Sequence, residues 1–260
     1  MGCSADGTMT FHVVADVHGA HDALARVAPE GSTILVLGDL VNLVDYRTNE
    51  GIVPDVVGAD VVKELIALRA AGMFDAASEL WTKSTARRGN EIRDEVAARM
   101  QAEYDDVANA LARYKAYVTF GNVDRISMLT DSLPPTATFI DTGIVEIDGY
   151  VVGFAGGGVP NIGSQGEVSD EEMAEKLATL GPVEILCTHV PPAVDVLSHD
   201  VVGGRPKASQ PILDYINEYQ PAMHFFGDVH QPTALTWRVG STVCRNVGYF
   251  RATGRGVTFP

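Results

Sequence analysis

The chain has 260 residues, 46 % of them apolar and 20 % charged, which suits one large globular domain and argues against a disordered chain. No run approaches the roughly 20 apolar residues of a membrane helix, so no membrane partner is expected. A formal net charge of −15 repels polyanions and makes bulk nucleic acid a poor partner unless a local metal cluster overrides it.

Met1-Gly2-Cys3-Ser4 suggests acylation, but Asp6 stands where a myristoylation signal wants Ser or Thr, and no apolar segment precedes Cys3. Residues 1–8 read as a disordered lead-in to a single domain over 9–260. Short apolar runs at 10–15, 33–37, 116–120, 183–187 and 222–226 predict buried strands by their length and their β-branched or aromatic content. Helical periods at 21–27 and 211–219 give the rhythm of an α/β sheet. Residues 138–154 read as short antiparallel strands separated by Gly143 and Gly149, and 233–259 has the same character.

Between Asp39 and Gly121 lie about 80 residues, far more than an ordinary connection. Val61-Val62 and Leu65-Ile66 mark one amphipathic helix, and Ile92, Val96, Met100 and Tyr104 space a long charged helix over 88–113. Residues 54–117 are therefore expected as a helical insertion, whether lid, homo-oligomer interface or filler. Cys3, Cys187 and Cys244 are too scattered for a disulfide framework, which fits a reducing, cytoplasmic compartment.

Five polar segments each follow a predicted strand: Asp16-Val17-His18-Gly19, Gly38-Asp39-Leu40-Val41-Asn42, Gly121-Asn122-Val123-Asp124, Thr188-His189-Val190 and Gly227-Asp228-Val229-His230. Ligands bind outside the carboxyl ends of strands in open α/β sheets, so all five converge on one place. Carboxylate, imidazole and amide oxygen form the mixed donor set of Mn, Fe, Zn or Ni. Taken singly, each segment has a plainer reading: a turn for Gly-Asp, a core histidine for His189 or His224, a core cysteine for Cys187. Gly156-Gly157-Gly158 is either a plain loop or a close approach to substrate, and Gly203-Gly204-Arg205 offers an anion contact. Ser169-Asp170-Glu171-Glu172 reads as a capping box.

In their order and spacing these motifs resemble the calcineurin-like metallophosphoesterases over about 200 residues. The resemblance implies an α/β (α+β) fold, a four-layer αββα sandwich of two mixed sheets flanked by helices, interrupted here by the helical insertion described above. It implies two divalent ions, Mn or Fe before Zn or Ni, one held by Asp16, His18, Asp39 and His230. Asp39 would bridge to a second held by Asn122, His189 and Asp228. A hydroxide between the ions would attack the phosphorus of a small phosphate ester.

Two positions depart from the family pattern. Asp228 stands where the family usually has His, which adds a carboxylate and takes the loaded site from about +1 to about 0, weakening its expected pull on phosphate. Val123 stands where many relatives place a His that assists the leaving group, which favours phosphodiesters or good leaving groups. His21 and His199 are candidate replacement acids, and Asn42 and Asp124 are candidates to brace the ligands or touch substrate. The alternatives are a phosphomonoesterase, a nucleotide pyrophosphohydrolase, or a binding scaffold with weak catalysis.

Overall fold

The computed structural model describes residues 10–161, 163–201 and 206–260. The expected lead-in and the Gly203-Gly204-Arg205 anion contact lie outside the described residues. The chain opens with β1 (Phe11–Val14), α1 (His21–Leu24) and β2 (Thr33–Leu37), then runs through α2 (Ile52–Val57), α3 (Ala59–Ala70), α4 (Phe74–Thr85) and α5 (Gly89–Leu111). Next come β3 (Lys115–Thr119), α6 (Ile126–Ser132), β4 (Ala137–Phe139) and a hairpin of β5 (Thr142–Ile147) and β6 (Tyr150–Ala155). α7 (Asp170–Ala178), β7 (Ile185–Thr188), α8 (Asp195–Ser198), α9 (Gln210–Tyr219) and β8 (Met223–Phe226) follow. The tail is β9 (Thr236–Val239), β10 (Thr242–Asn246), α10 (Phe250–Thr253) and β11 (Val257–Phe259).

The strands form two mixed sheets, ordered β11-β1-β2-β3-β4 and β5-β6-β7-β8-β10-β9. In the first, β1 to β4 are parallel and β11 is antiparallel to β1. In the second, β6, β7, β8 and β10 are parallel between antiparallel edges β5 and β9. Alternation along the strands sorts their side chains into two cores. Phe11, Val13, Leu35, Leu37, Tyr117, Ile185, Cys187 and Phe225 pack in one cluster between the sheets. Val14, Ile34, Val36, Val118, Leu186 and Phe226 turn outward to the helices, with Leu24, Tyr104, Leu111, Leu177 and Ile216. Both faces of each central strand are covered, which is why these strands read as continuous apolar runs. The result is the expected sandwich of two sheets flanked by helices.

Three boundaries differ from the sequence expectation. The helical period at 21–27 is realised as a single turn, His21–Leu24, continued by hydrogen-bonded turns. Gly143 lies inside β5; the chain breaks instead at Ile140 and Asp141, where β4 and β5 join different sheets. The insertion bounds 54–117 also shift, because α2 begins at Ile52 and residues 115–117 pair with β2 as part of β3. α5 is moreover an integral layer, with Met100, Tyr104, Val107 and Leu111 at most 1 % exposed. α4 buries only Ala77. Among the described residues, no helix is long and apolar enough to cross a membrane.

Candidate metal centre

All five polar segments leave the carboxyl ends of strands, three from the first sheet (β1, β2, β3) and two from the second (β7, β8). The loops are tied edge to edge: Asp16 N donates to Gly38 O (3.1 Å), His18 N to Asp39 O (2.9 Å), and Gly227 N to His189 O (2.8 Å). Asp16, His18, Asp39 and Asp228 all adopt positive φ, between 42° and 62°. Such left-handed backbone is uncommon outside glycine and concentrates at functional sites. Here it turns each side chain inward from a strand end.

The inward atoms meet. His18 Nε2 lies 3.6 Å and His189 Nε2 3.5 Å from the same oxygen, Asp39 Oδ2. His230 Nε2 is 3.5 Å and His18 Nε2 3.9 Å from Asp16 Oδ1. Asn122 Oδ1 is 3.4 Å and Asp228 Oδ1 3.8 Å from His189 Nε2. Donor separations of about 3–3.5 Å are what bonds of about 2.1 Å to one ion produce. Asp16, His18 and His230 form one group of potential ligands, and Asp16, Asp39 and His189 another. Gly121 leaves the necessary room, since a Cβ there would lie 2.2 Å from Asp39 Oδ1 and 2.6 Å from His189 Nε2.

The residues fit a metal by their hydrogen bonding as well. His189 Nδ1 pairs with Leu37 O (2.7 Å) and His18 Nδ1 with Val41 O (3.2 Å), so each ring presents Nε2 to the cluster. A ligating histidine is usually oriented in this way. Among the described residues, His18 Nε2 and Asp228 Oδ2 are buried without a hydrogen-bond partner, an arrangement that is costly unless something else engages them. Burial opposes charge on both Asp39 and His189, yet each holds the other ionised. Asp39 sits below the usual carboxylate range and His189 is pushed up to about 10. Burial dominates at His18 and lowers its pKa.

The sequence model of the calcineurin-like phosphoesterases matches residues 9–232. The chain belongs to the calcineurin-like phosphoesterase family. No curated protein matches it. One solved crystal structure superposes with a TM-score of 0.59 at 14 % identity, covering 93 % of this chain and 91 % of its own. TT1561 of Thermus thermophilus gives 0.51 at 12 % identity, covering 97 % and 98 %. The phosphopantetheinyl hydrolase of Mycobacterium tuberculosis gives 0.47 at 11 %, covering 95 % of each chain. At these identities the first two speak for the fold.

Asp124 accepts from Asp39 N (2.7 Å), Leu40 N (3.1 Å) and Gly121 N (2.9 Å), so it clamps two ligand loops together. Asn42 N donates to Glu103 (2.6 Å), but among the described residues the Asn42 side chain bonds none of the seven ligand candidates. His21 faces Asp106 at 3.9 Å on the α5 side, and His199 is exposed in a bridge with Pro206. The structure brings neither into hydrogen-bonding contact with the cluster. Gly158 packs on Asn122, where a Cβ would come within 2.3 Å of its side chain, so the triple glycine makes a close approach to a candidate ligand. Ser169 caps α7 as expected. His224 is a core histidine, its Nε2 2.8 Å from Thr188 Oγ1, and Cys187 is buried between the sheets.

Other contacts escaped the sequence reading. Tyr249 stacks on His230, with centroids 3.9 Å apart and planes within 4°. Its hydroxyl donates to Asp45 (3.0 Å), and Arg251 ties Asp45 (3.3 Å) to the carbonyl of His18 (2.6 Å). Lys207 forms a salt bridge with Asp228. None of these residues belongs to a motif, and no periodicity marks them.

Proposed function

We propose that the chain is a dinuclear phosphoesterase that hydrolyses a small phosphate ester, with phosphodiesters its favoured class. The observation that carries this reading is the position of Asp39, whose Oδ2 faces His18 Nε2 and His189 Nε2 at nearly equal distances of 3.6 and 3.5 Å. A carboxylate between two imidazoles has the place of a bridging ligand. On this reading Asp16, His18, Asp39 and His230 hold one ion, and Asp39, Asn122, His189 and Asp228 the other. When bound, two such ions neutralise phosphoryl oxygens and lower the pKa of water between them.

The protein's own contribution is orientation. Carbonyls of Leu37 and Val41 fix the two rings, Tyr249 fixes His230 by stacking, and Asp124 holds the Asp39 and Asn122 loops in register. Val123 donates its backbone N–H to Asp39 Oδ1 (3.0 Å) and brings no acid to the leaving group. That is the reason to favour diesters and other esters with good leaving groups over alkyl monoesters. The mixed oxygen and nitrogen donor set, with three carboxylates, favours Mn or Fe over Zn or Ni.

One observation favours a second reading, a binding scaffold without catalysis: Lys207 already engages Asp228. Hydrolysis of bis-p-nitrophenyl phosphate and p-nitrophenyl phosphate by metal-stripped protein, with Mn²⁺ titrated back, decides between them. The proposal expects Mn²⁺-dependent cleavage, faster on the diester and abolished in Asp39→Ala. Absence of cleavage with Mn²⁺, Fe²⁺, Zn²⁺ and Ni²⁺ would favour the scaffold.

A further inference from the structure

Lys207 is built into the centre. Its backbone N donates to Ser198 O (2.9 Å), and Ser209 N, two residues on, donates to Pro191 O (3.1 Å). Bridges between His199 and Pro206 and between Pro192 and Ser209 tie down both flanks of the residue. This lysine is therefore held by the segment that follows His189, unlike a lysine on a free surface loop. Its Nζ donates to Asp228 Oδ1 and, at 3.3 Å, to the carbonyl of Asp228. An ammonium has three hydrogens, so one is left.

Burial gives the pair a direction. The Asp228 side chain is 1 % exposed, whereas that of Lys207 is 31 % exposed. The lysine is thus the more exposed partner and the carboxylate the buried one, while Asp228 Oδ2 is buried without a hydrogen-bond partner among the described residues. Charge points the same way. The third carboxylate takes the loaded site from about +1 to about 0, and one ammonium restores about +1. The weakened attraction for phosphate expected from Asp228 alone is thereby reversed.

Resting on the phosphoesterase reading, we propose that Lys207 is a substrate-binding residue: anchored by Asp228, its ammonium takes a non-bridging phosphoryl oxygen of the ester. The contact is a charge-assisted hydrogen bond of the kind that dominates phosphate recognition. It also supplies, from the β8 side, positive charge that Val123 cannot supply from the β3 side.

The test is calorimetric titration of inorganic phosphate into Mn²⁺-loaded wild type, Lys207→Met and Lys207→Gln, with manganese per chain counted beforehand. Gln keeps an N–H donor for Asp228 without the charge, and so guards against a collapsed site in the Met variant. The expected result is an unchanged metal count with phosphate dissociation constants at least tenfold higher in both variants. Phosphate affinity within twofold of wild type at full metal content would overturn the proposal. So would metal loss in step with phosphate loss, since Lys207 would then act only by holding Asp228. A wild type that takes up no manganese instead defeats the phosphoesterase reading, and the metal count reveals that before phosphate is added.

Discussion

Asp124 shows how one buried carboxylate can govern a site through backbone alone. Three amides converge on it from the Asp39 and Asn122 loops, and Tyr104 adds its hydroxyl at 3.2 Å. Burial and the nearby charge of Asp39 still raise its pKa to about 6, so the three amides do not fully compensate. Asp124→Asn would turn an N–H₂ toward at least one of these donors. It should cost about 1–3 kcal/mol of stability and lower metal affinity by about 10- to 100-fold. Denaturant melts and a metal titration read the two effects, and unchanged values in both would remove Asp124 from the account. His224 gives a pH signature. Burial lowers its pKa from 6.5 to about 3, and its Nδ1 has no partner to receive a proton. The unfolded chain protonates this ring below its ordinary value while the folded chain does not. The stability this group contributes is therefore complete above pH 6.5 and falls by about 1.4 kcal/mol per unit below it. Between pH 6 and pH 4, His224→Gln should lose about 2.5 kcal/mol less than wild type in urea melts. Parallel pH profiles would contradict the assignment. At this scale the five polar segments were legible in the sequence because each follows an apolar strand beside a tight turn, and the structure brings the seven candidates they carry close together. Lys207 and Tyr249 were not legible, because the first depends on a loop folding back and the second on the tail passing over His230.

Among the elements, the five central strands were readable because a sheet on one side and helices on the other bury most of their residues, leaving nearly continuous apolar runs. Periodicity cannot say which sheet a strand joins, and so the break at Ile140 and Asp141 was misplaced at Gly143. The same limit applies to α5. Its apolar spacing predicted a helix, but only packing shows that Met100, Tyr104 and Leu111 complete the outer layer of the first sheet. Tyr104 OH also donates to Asp124, and Glu103 accepts from Asn42 N, so α5 supports the site directly. α4 packs on α3 and is the more exposed helix, with Phe74 49 % and Trp81 39 % exposed. Met100→Ala should therefore cost about 2–5 kcal/mol, whereas Lys83→Ala on exposed α4 should stay within about 0.5 kcal/mol. Equal losses in thermal melts would mean that α4 and α5 belong to one cooperative layer.

Across the whole molecule, candidate ligands from both sheets meet at one edge of the sandwich, so the loops that carry them tie the two sheets together. The chain carries a formal net charge of −15 and concentrates Asp16, Asp39 and Asp228 at that junction. Cations are the natural remedy, and Lys207 supplies one through its salt bridge with Asp228. Manganese that binds only the folded chain must raise its melting temperature, and the increase grows with concentration above the dissociation constant. The overall architecture was legible in the sequence because the motif order carries the topology with it; the network around Asp45, Arg251 and Tyr249 was not, because it joins residues some 200 apart. The central claim is that Asp39 joins two metal positions. It is tested most directly by counting manganese per chain after loading and desalting, in wild type and in Asp39→Ala. The account predicts two ions in wild type and at most one in the variant. A wild-type count of one or none, or two ions retained without Asp39, would contradict it.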